Sequence, residues 1–137
     1  MLDALVEEVL KSGRRVRFRA TGGSMRPSIR EGDILVVAPT RPDALSPGDI
    51  VFSRVGRKLT AHRLVKVIRA DAPEGRAGAP FRVVCRGDAA CAPDLPLDPS
   101  QILGKVIAVE ASVCRRRWGM IRRFFKRIIL DRWPSGR

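Results

Sequence analysis

A serine on a glycine turn, an imidazole and a pair of aspartates are the residues of this chain best suited to covalent chemistry. Ser24 sits in the stretch Gly22-Gly23-Ser24-Met25-Arg26-Pro27-Ser28-Ile29-Arg30-Glu31-Gly32-Asp33. The glycines let the backbone bend sharply and approach a ligand closely, and Pro27 stiffens the exit. A serine hydroxyl is nearly unreactive at neutral pH until an imidazole within hydrogen-bond reach takes its proton. His62 is the sole histidine. A carboxylate on its far nitrogen would hold the working tautomer, and Asp88 and Asp94 are the candidates. The ingredients are those of a nucleophilic hydrolase. A base must be neutral to act, so activity is expected to rise with pH through the imidazole range, about 6.5 for a free side chain.

The elements that position these residues follow from the apolar pattern. Leu2, Leu5, Val6, Val9 and Leu10 recur at helical spacing, which predicts an amphipathic helix over 2–12 that stops at Gly13. Alternation at Val16, Phe18 and Ala20 predicts a first strand, and Ile34-Leu35-Val36-Val37 a second. Ser46-Pro47-Gly48-Asp49 turns into a strand at Ile50-Val51-Phe52, and Gly56-Arg57-Lys58 reads as a hairpin turn into a long strand from Leu59 to Ile68 that carries His62. Residues 70–80 read as a flexible surface loop. Phe81 to Cys85 is a further strand, Ala89 to Pro99 is irregular, and Gln101 to Val109 closes the sheet. The Gly-Asp pairs at 32–33 and 48–49 read as turns in which Asp bonds back to the backbone, while in the pair at 87–88 Asp88 stays a candidate acid. Short apolar runs between frequent Gly and Pro favour an all-β domain.

Charge is distributed unevenly. Of 27 basic and 14 acidic residues, nine basic and one acidic residue (Asp131) lie from Arg115 onward. The expected division is a catalytic domain over 1–110, with its core at 14–110, and a basic tail over 111–137. In the tail Trp118, Ile121, Phe124, Phe125, Ile128, Ile129 and Trp133 recur near helical spacing among the arginines. Such a cationic amphipathic helix could lie on an anionic membrane surface or pack its apolar face on the domain; the sequence leaves both open. No base-reading or stacking module accompanies the arginines, so nucleic acid is not an expected partner. Cys85, Cys91 and Cys114 lack metal-ligand spacing, so no zinc, metal or cofactor is expected. Free thiols are the simpler reading, with a Cys85–Cys91 disulfide as the alternative. No run approaches the ~20 apolar residues of a spanning helix, and the N-terminus lacks a secretory pattern. The expected location is the cytoplasm, peripheral to the inner membrane face if the tail meets lipid.

Five blocks in this order resemble the signal peptidase I superfamily of serine peptidases. They are Ser24-Met25-x-Pro27-Ser28-Ile29-x-x-Gly32-Asp33, Pro47-Gly48-Asp49-Ile50-Val51, His62-Arg63-Leu64-Val65, Arg86-Gly87-Asp88 followed by Asp94, and Leu103-Gly104-Lys105-Val106. Histidine at the base position is similar to the Ser-His-Asp branch. Leader peptidases and LexA-type self-cleaving repressors use lysine there, and neither Lys58 nor Lys66 aligns with it. The resemblance implies coiled, mostly antiparallel sheets of the signal peptidase/LexA-like type. It also implies Ser24 as nucleophile, His62 as general base, Asp94 as the catalytic aspartate and Asp88 as a structural or assisting acid. An extended leader or precursor peptide would add as a strand beside the groove, with Ile29, Leu35 and Val37 as an apolar lining. The turn Gly22, Gly23 and Met25 frames the oxyanion side. Where the family usually carries a serine that helps hold the oxyanion, this chain has Gly22, so backbone N–H groups such as that of Ser24 must serve.

The expected function is a serine endopeptidase of the signal-peptide-processing kind. The alternative is a non-catalytic peptide-binding module on the same fold. A self-cleaving repressor fragment fits less well, lacking the base lysine and a DNA-binding half.

Overall fold

The computed structural model of the protein describes residues 2–69 and 81–112. The loop expected at 70–80, and in the tail Cys114 and the amphipathic helix, lie outside the described residues. Helix α1 (Leu2–Lys11) leads into β1 (Val16–Arg19), β2 (Ile34–Ala38), β3 (Ile50–Val55), β4 (Lys58–Arg69), β5 (Phe81–Arg86) and β6 (Ile102–Glu110). The strands form one sheet in the order β1-β2-β6-β3-β4-β5, and every pairing is antiparallel. The fold is all-β with one short N-terminal helix, as the apolar pattern requires. Among the described residues no helix is long and apolar enough to cross a membrane.

Alternation decides which side chains are buried. Along β2 intermediate and buried residues alternate, which puts Leu35 and Val37 on one face. They join Val6 and Leu10 of α1 with Met25, Ile29, Phe52 and Val106 in one apolar cluster. Burying a side chain of this size stabilises the fold by roughly 1.5–3 kcal/mol, so α1 is fixed to the sheet through its apolar stripe. A second cluster of Leu45, Val51, Leu64, Val83, Cys85, Leu97 and Ile102 lies under the β4–β5 half.

The irregular stretch after β5 is firmly tied. Asp94 N–H donates to the Cys85 carbonyl at 2.8 Å, and Val83 and Leu97 exchange both backbone hydrogen bonds at 3.0 and 2.8 Å. The segment therefore runs along the outer edge of β5. Register shifts between Val36 and Val37, Phe52 and Ser53, and Leu64 and Lys66 interrupt the ladders. At β6 only glycine fits at position 104, where a Cβ would lie 2.4 Å from the Ala38 carbonyl oxygen.

Candidate active site

Ser24 stands on a loop pinched at its base. Ala20 N–H donates to the Asp33 carbonyl and Gly32 N–H to the Ala20 carbonyl, each at 2.8 Å. The buried Asp33 carboxylate accepts the N–H groups of Arg30 and, from the end of β6, Ser112. Met25 and Ile29, both 4% exposed, root the loop in the core. Gly22 takes φ +78°, a conformation L side chains rarely adopt, and turns the chain into the serine. The Arg26 side chain lies against Gly23. Gly87 packs so closely on Ser24 that a Cβ there would sit 2.5 Å from the serine carbonyl oxygen. Ala89 N–H donates to that same oxygen at 2.9 Å. The backbone carrying the hydroxyl is thus gripped from below by the core and from the side by the turn after β5.

His62 lies on β4 opposite Val51 of β3. On its other side β5 pairs with β4 only from Arg63 onward, so the sheet stops beside the imidazole and the segment beyond β5 comes alongside. That brings Asp94 Oδ2 to 2.5 Å from His62 Nδ1, while His62 Nε2 lies 3.1 Å from Ser24 Oγ. An ionised carboxylate only accepts, so the Nδ1–H donates to Asp94 and the Nε2 lone pair faces the Ser24 hydroxyl. The ring is largely buried, 16% exposed, against 39% for the Asp94 side chain.

Asp88 stands elsewhere. Its Oδ1 and Oδ2 accept from Arg63 Nε and Nη2, both at 2.8 Å, and the Ser28 hydroxyl donates to Oδ2 at 2.5 Å. Arg63 Nη1 donates to the Gly48 carbonyl at 2.8 Å, and Asp88 N–H donates to Met25 Sδ at 3.4 Å. The Arg63 hydrogen bonds, with lesser help from Ser28 and the nearby charges, hold the Asp88 carboxyl below the usual carboxylate range. Asp88 in turn raises Arg63 further above its ordinary value. This clamp joins four segments around the site: the Ser24 loop, the 46–49 turn, β4 and the turn after β5. Ser28 and Arg63 stand within the motif blocks, and Gly87 beside Asp88, but spacing along the chain announces neither the clamp nor the close packing of Gly87 on Ser24.

A cavity of about 300 Å³ opens beside the serine, walled on one side by Phe18 and the 20–25 segment and on the other by Lys58 to His62. Ile29 and Leu35 are among its lining residues. Val37 is not: it is fully buried. Two residues beyond Leu35 on β2, it is carried about 6.6 Å further along the strand, away from the cavity. Cys85 and Cys91 are free thiols, the first buried and the second exposed. Burial, and then the charge of Asp94, push the Cys85 thiol up to about 11.

With this geometry in place, comparison with known proteins adds the lineage. The Peptidase S24-like family model matches residues 4–73, just over half of the 137-residue chain. The chain belongs to the Peptidase S24-like family. Its fold is therefore of peptidase type, and the matched stretch contains both Ser24 and His62. The match ends before Asp88 and Asp94, which the turn after β5 and the segment along its outer edge bring to the site. No curated protein matches the chain.

Proposed function

We propose that the protein is a serine endopeptidase that cleaves a leader or precursor peptide through an acyl-enzyme. One observation carries the reading: a hydroxyl, an imidazole and a carboxylate in a row, at 3.1 and 2.5 Å, with the hydroxyl open to a cleft. Ser24 Oγ attacks the scissile carbonyl as His62 Nε2 takes its proton, and Asp94 stabilises the imidazolium that forms. The tetrahedral intermediate collapses as His62 returns that proton to the leaving amine. Water then attacks the acyl-serine, again giving up a proton to His62, and the carboxylic product leaves as Ser24 regains its hydrogen. Gly22 and Gly23 have no side-chain donors, so the oxyanion falls to backbone N–H groups around Ser24, which makes for a modest catalyst.

The cleft also suits an extended substrate. Among the described residues β1 pairs only with β2, and the Lys58–His62 half of β4 pairs only with β3. Two strand edges thus border the cavity, ready to add a peptide by main-chain hydrogen bonds. The test is cleavage of a mixed peptide library, with products read by mass. Ser24→Ala should lower the rate at every cleaved bond by about 10⁴-fold or more. Cleavage at the same bonds by the variant would overturn the proposal, and peptide binding by both forms without cleavage would leave the peptide-binding module instead.

A further inference from the structure

Several cations of the described residues that flank the sheet are matched. Lys11 and Arg54 hold Glu7, Arg17 holds Glu110, Arg82 holds Asp98 and Lys105 holds Asp49. Lys58, like Arg19 and Lys66, makes no ion pair with any described residue and is exposed. What sets it apart is its place: among the described residues it is the one Lys or Arg lining the cavity, and no described lining residue is Asp or Glu. Lys58, Thr60 and His62 alternate along β4 and so share a face. At about 3.3 Å per residue, Lys58 lies some 13 Å along the strand from the imidazole.

We propose that Lys58 selects substrate: the peptide carries an acidic side chain about four residues from the scissile bond, facing this ammonium. The proposal rests on the cleft being the peptide site. A strand laid along the open half of β4 has the same rise as β4 itself. The residue facing His62 and the one facing Lys58 are then about four positions apart. Thr60 lies between them on that face, and the alternate side chains of such a strand meet the apolar lining of Phe18, Leu35, Phe52 and Leu59. A peptide with small or apolar residues near the cut and a carboxylate at that distance complements the cleft in both shape and charge, and no carboxylate among the described lining residues repels it.

The experiment is a set of otherwise neutral peptides in which one Glu, Gln or Lys is moved along both sides of the cleaved bond. At one position about four residues from the cut, Glu should raise kcat/KM over Gln by roughly two- to fivefold, as expected of an exposed ion pair, and Lys should lower it. Lys58→Glu should reverse that order, Lys58→Met should level it, and the preference should fade as salt screens it. The same peptides are also titrated onto Ser24→Ala by fluorescence anisotropy. A Lys58-dependent preference for Glu in binding, without cleavage by the wild type, would uphold charge selection while removing the peptidase reading. Ser24-dependent cleavage with no Glu preference, or with one that Lys58→Glu leaves unchanged, would overturn charge selection and leave the peptidase reading standing. Neither cleavage nor binding of any peptide would overturn both.

Discussion

Ser24, His62 and Asp94 form one row of hydroxyl, base and carboxylate; Ser28, Arg63 and Asp88 form another beside it. His62 and Arg63 are consecutive on β4, so they point to opposite faces of the strand. In the second row the base is a guanidinium that stays charged and donates in a fixed fork to both carboxylate oxygens. Nothing in that row can give up a proton at ordinary pH, and its work is to hold segments together. In the first row the base can gain and lose a proton, touches a hydroxyl open to the cleft, and is oriented by a half-exposed carboxylate. The same three kinds of group become chemistry or scaffolding according to whether the middle one titrates.

The contrast predicts opposite phenotypes for the two carboxylates. Asp94→Asn should lower peptide cleavage by about 10³–10⁴-fold, because the amide no longer holds the Nδ1–H tautomer, while thermal unfolding hardly moves. Comparable cleavage by Asp94→Asn and wild type would erase the distinction between the rows.

Asp88→Asn should do the reverse. It removes the charged end of a bidentate pair and should cost about 2–3 kcal/mol of stability, read as a lower denaturation midpoint, with a smaller loss of rate under folding conditions. Since Asp88 is held below its unfolded value, its contribution is complete above the ordinary carboxylate range and is lost as pH falls through the folded value. The stability gap between wild type and variant should be constant near neutrality and shrink below pH about 4. Glu7 is lowered too, chiefly by Lys11, but it is common to both proteins and drops out of the difference. A gap that widened in acid would contradict the assignment.

The smallest effect concerns the thiols beside Asp94. In a Cys114→Ala background, alkylation at neutral pH should mark Cys91 first and leave Cys85 unmodified in the folded protein, since burial keeps the Cys85 thiol protonated. Equal labelling rates, read by peptide mass, would show that the segment holding Asp94 opens readily and that the first row is not preformed.

Much of this site was legible in the chain. The glycine turn, the lone histidine and the Gly-Asp block pointed to Ser24, His62 and the two aspartates, because nucleophilic catalysis needs those groups and only the histidine has no competitor; among the many serines and aspartates the choice came from the order of the motif blocks. Asp88 and Asp94 were harder to separate, since the choice depends on where β5 ends relative to His62 and on the backbone bonds from Asp94 and Leu97 to its outer edge. Arg63 and Gly87 were hidden for a similar reason: one pairs across 25 residues, and the other matters through a steric contact with Ser24. Val37 shows the limit of strand patterning, which assigns a face but not a position along it.

The most direct test of the account is the rate at which a fluorophosphonate modifies Ser24, in wild type and in His62→Ala, across the imidazole range of pH. We predict a single adduct on Ser24, a wild-type rate that rises with pH, and a rate in folded His62→Ala lower by about 10³-fold or more and flat with pH. An adduct on another residue, or a Ser24 rate that His62→Ala leaves unchanged, would contradict it.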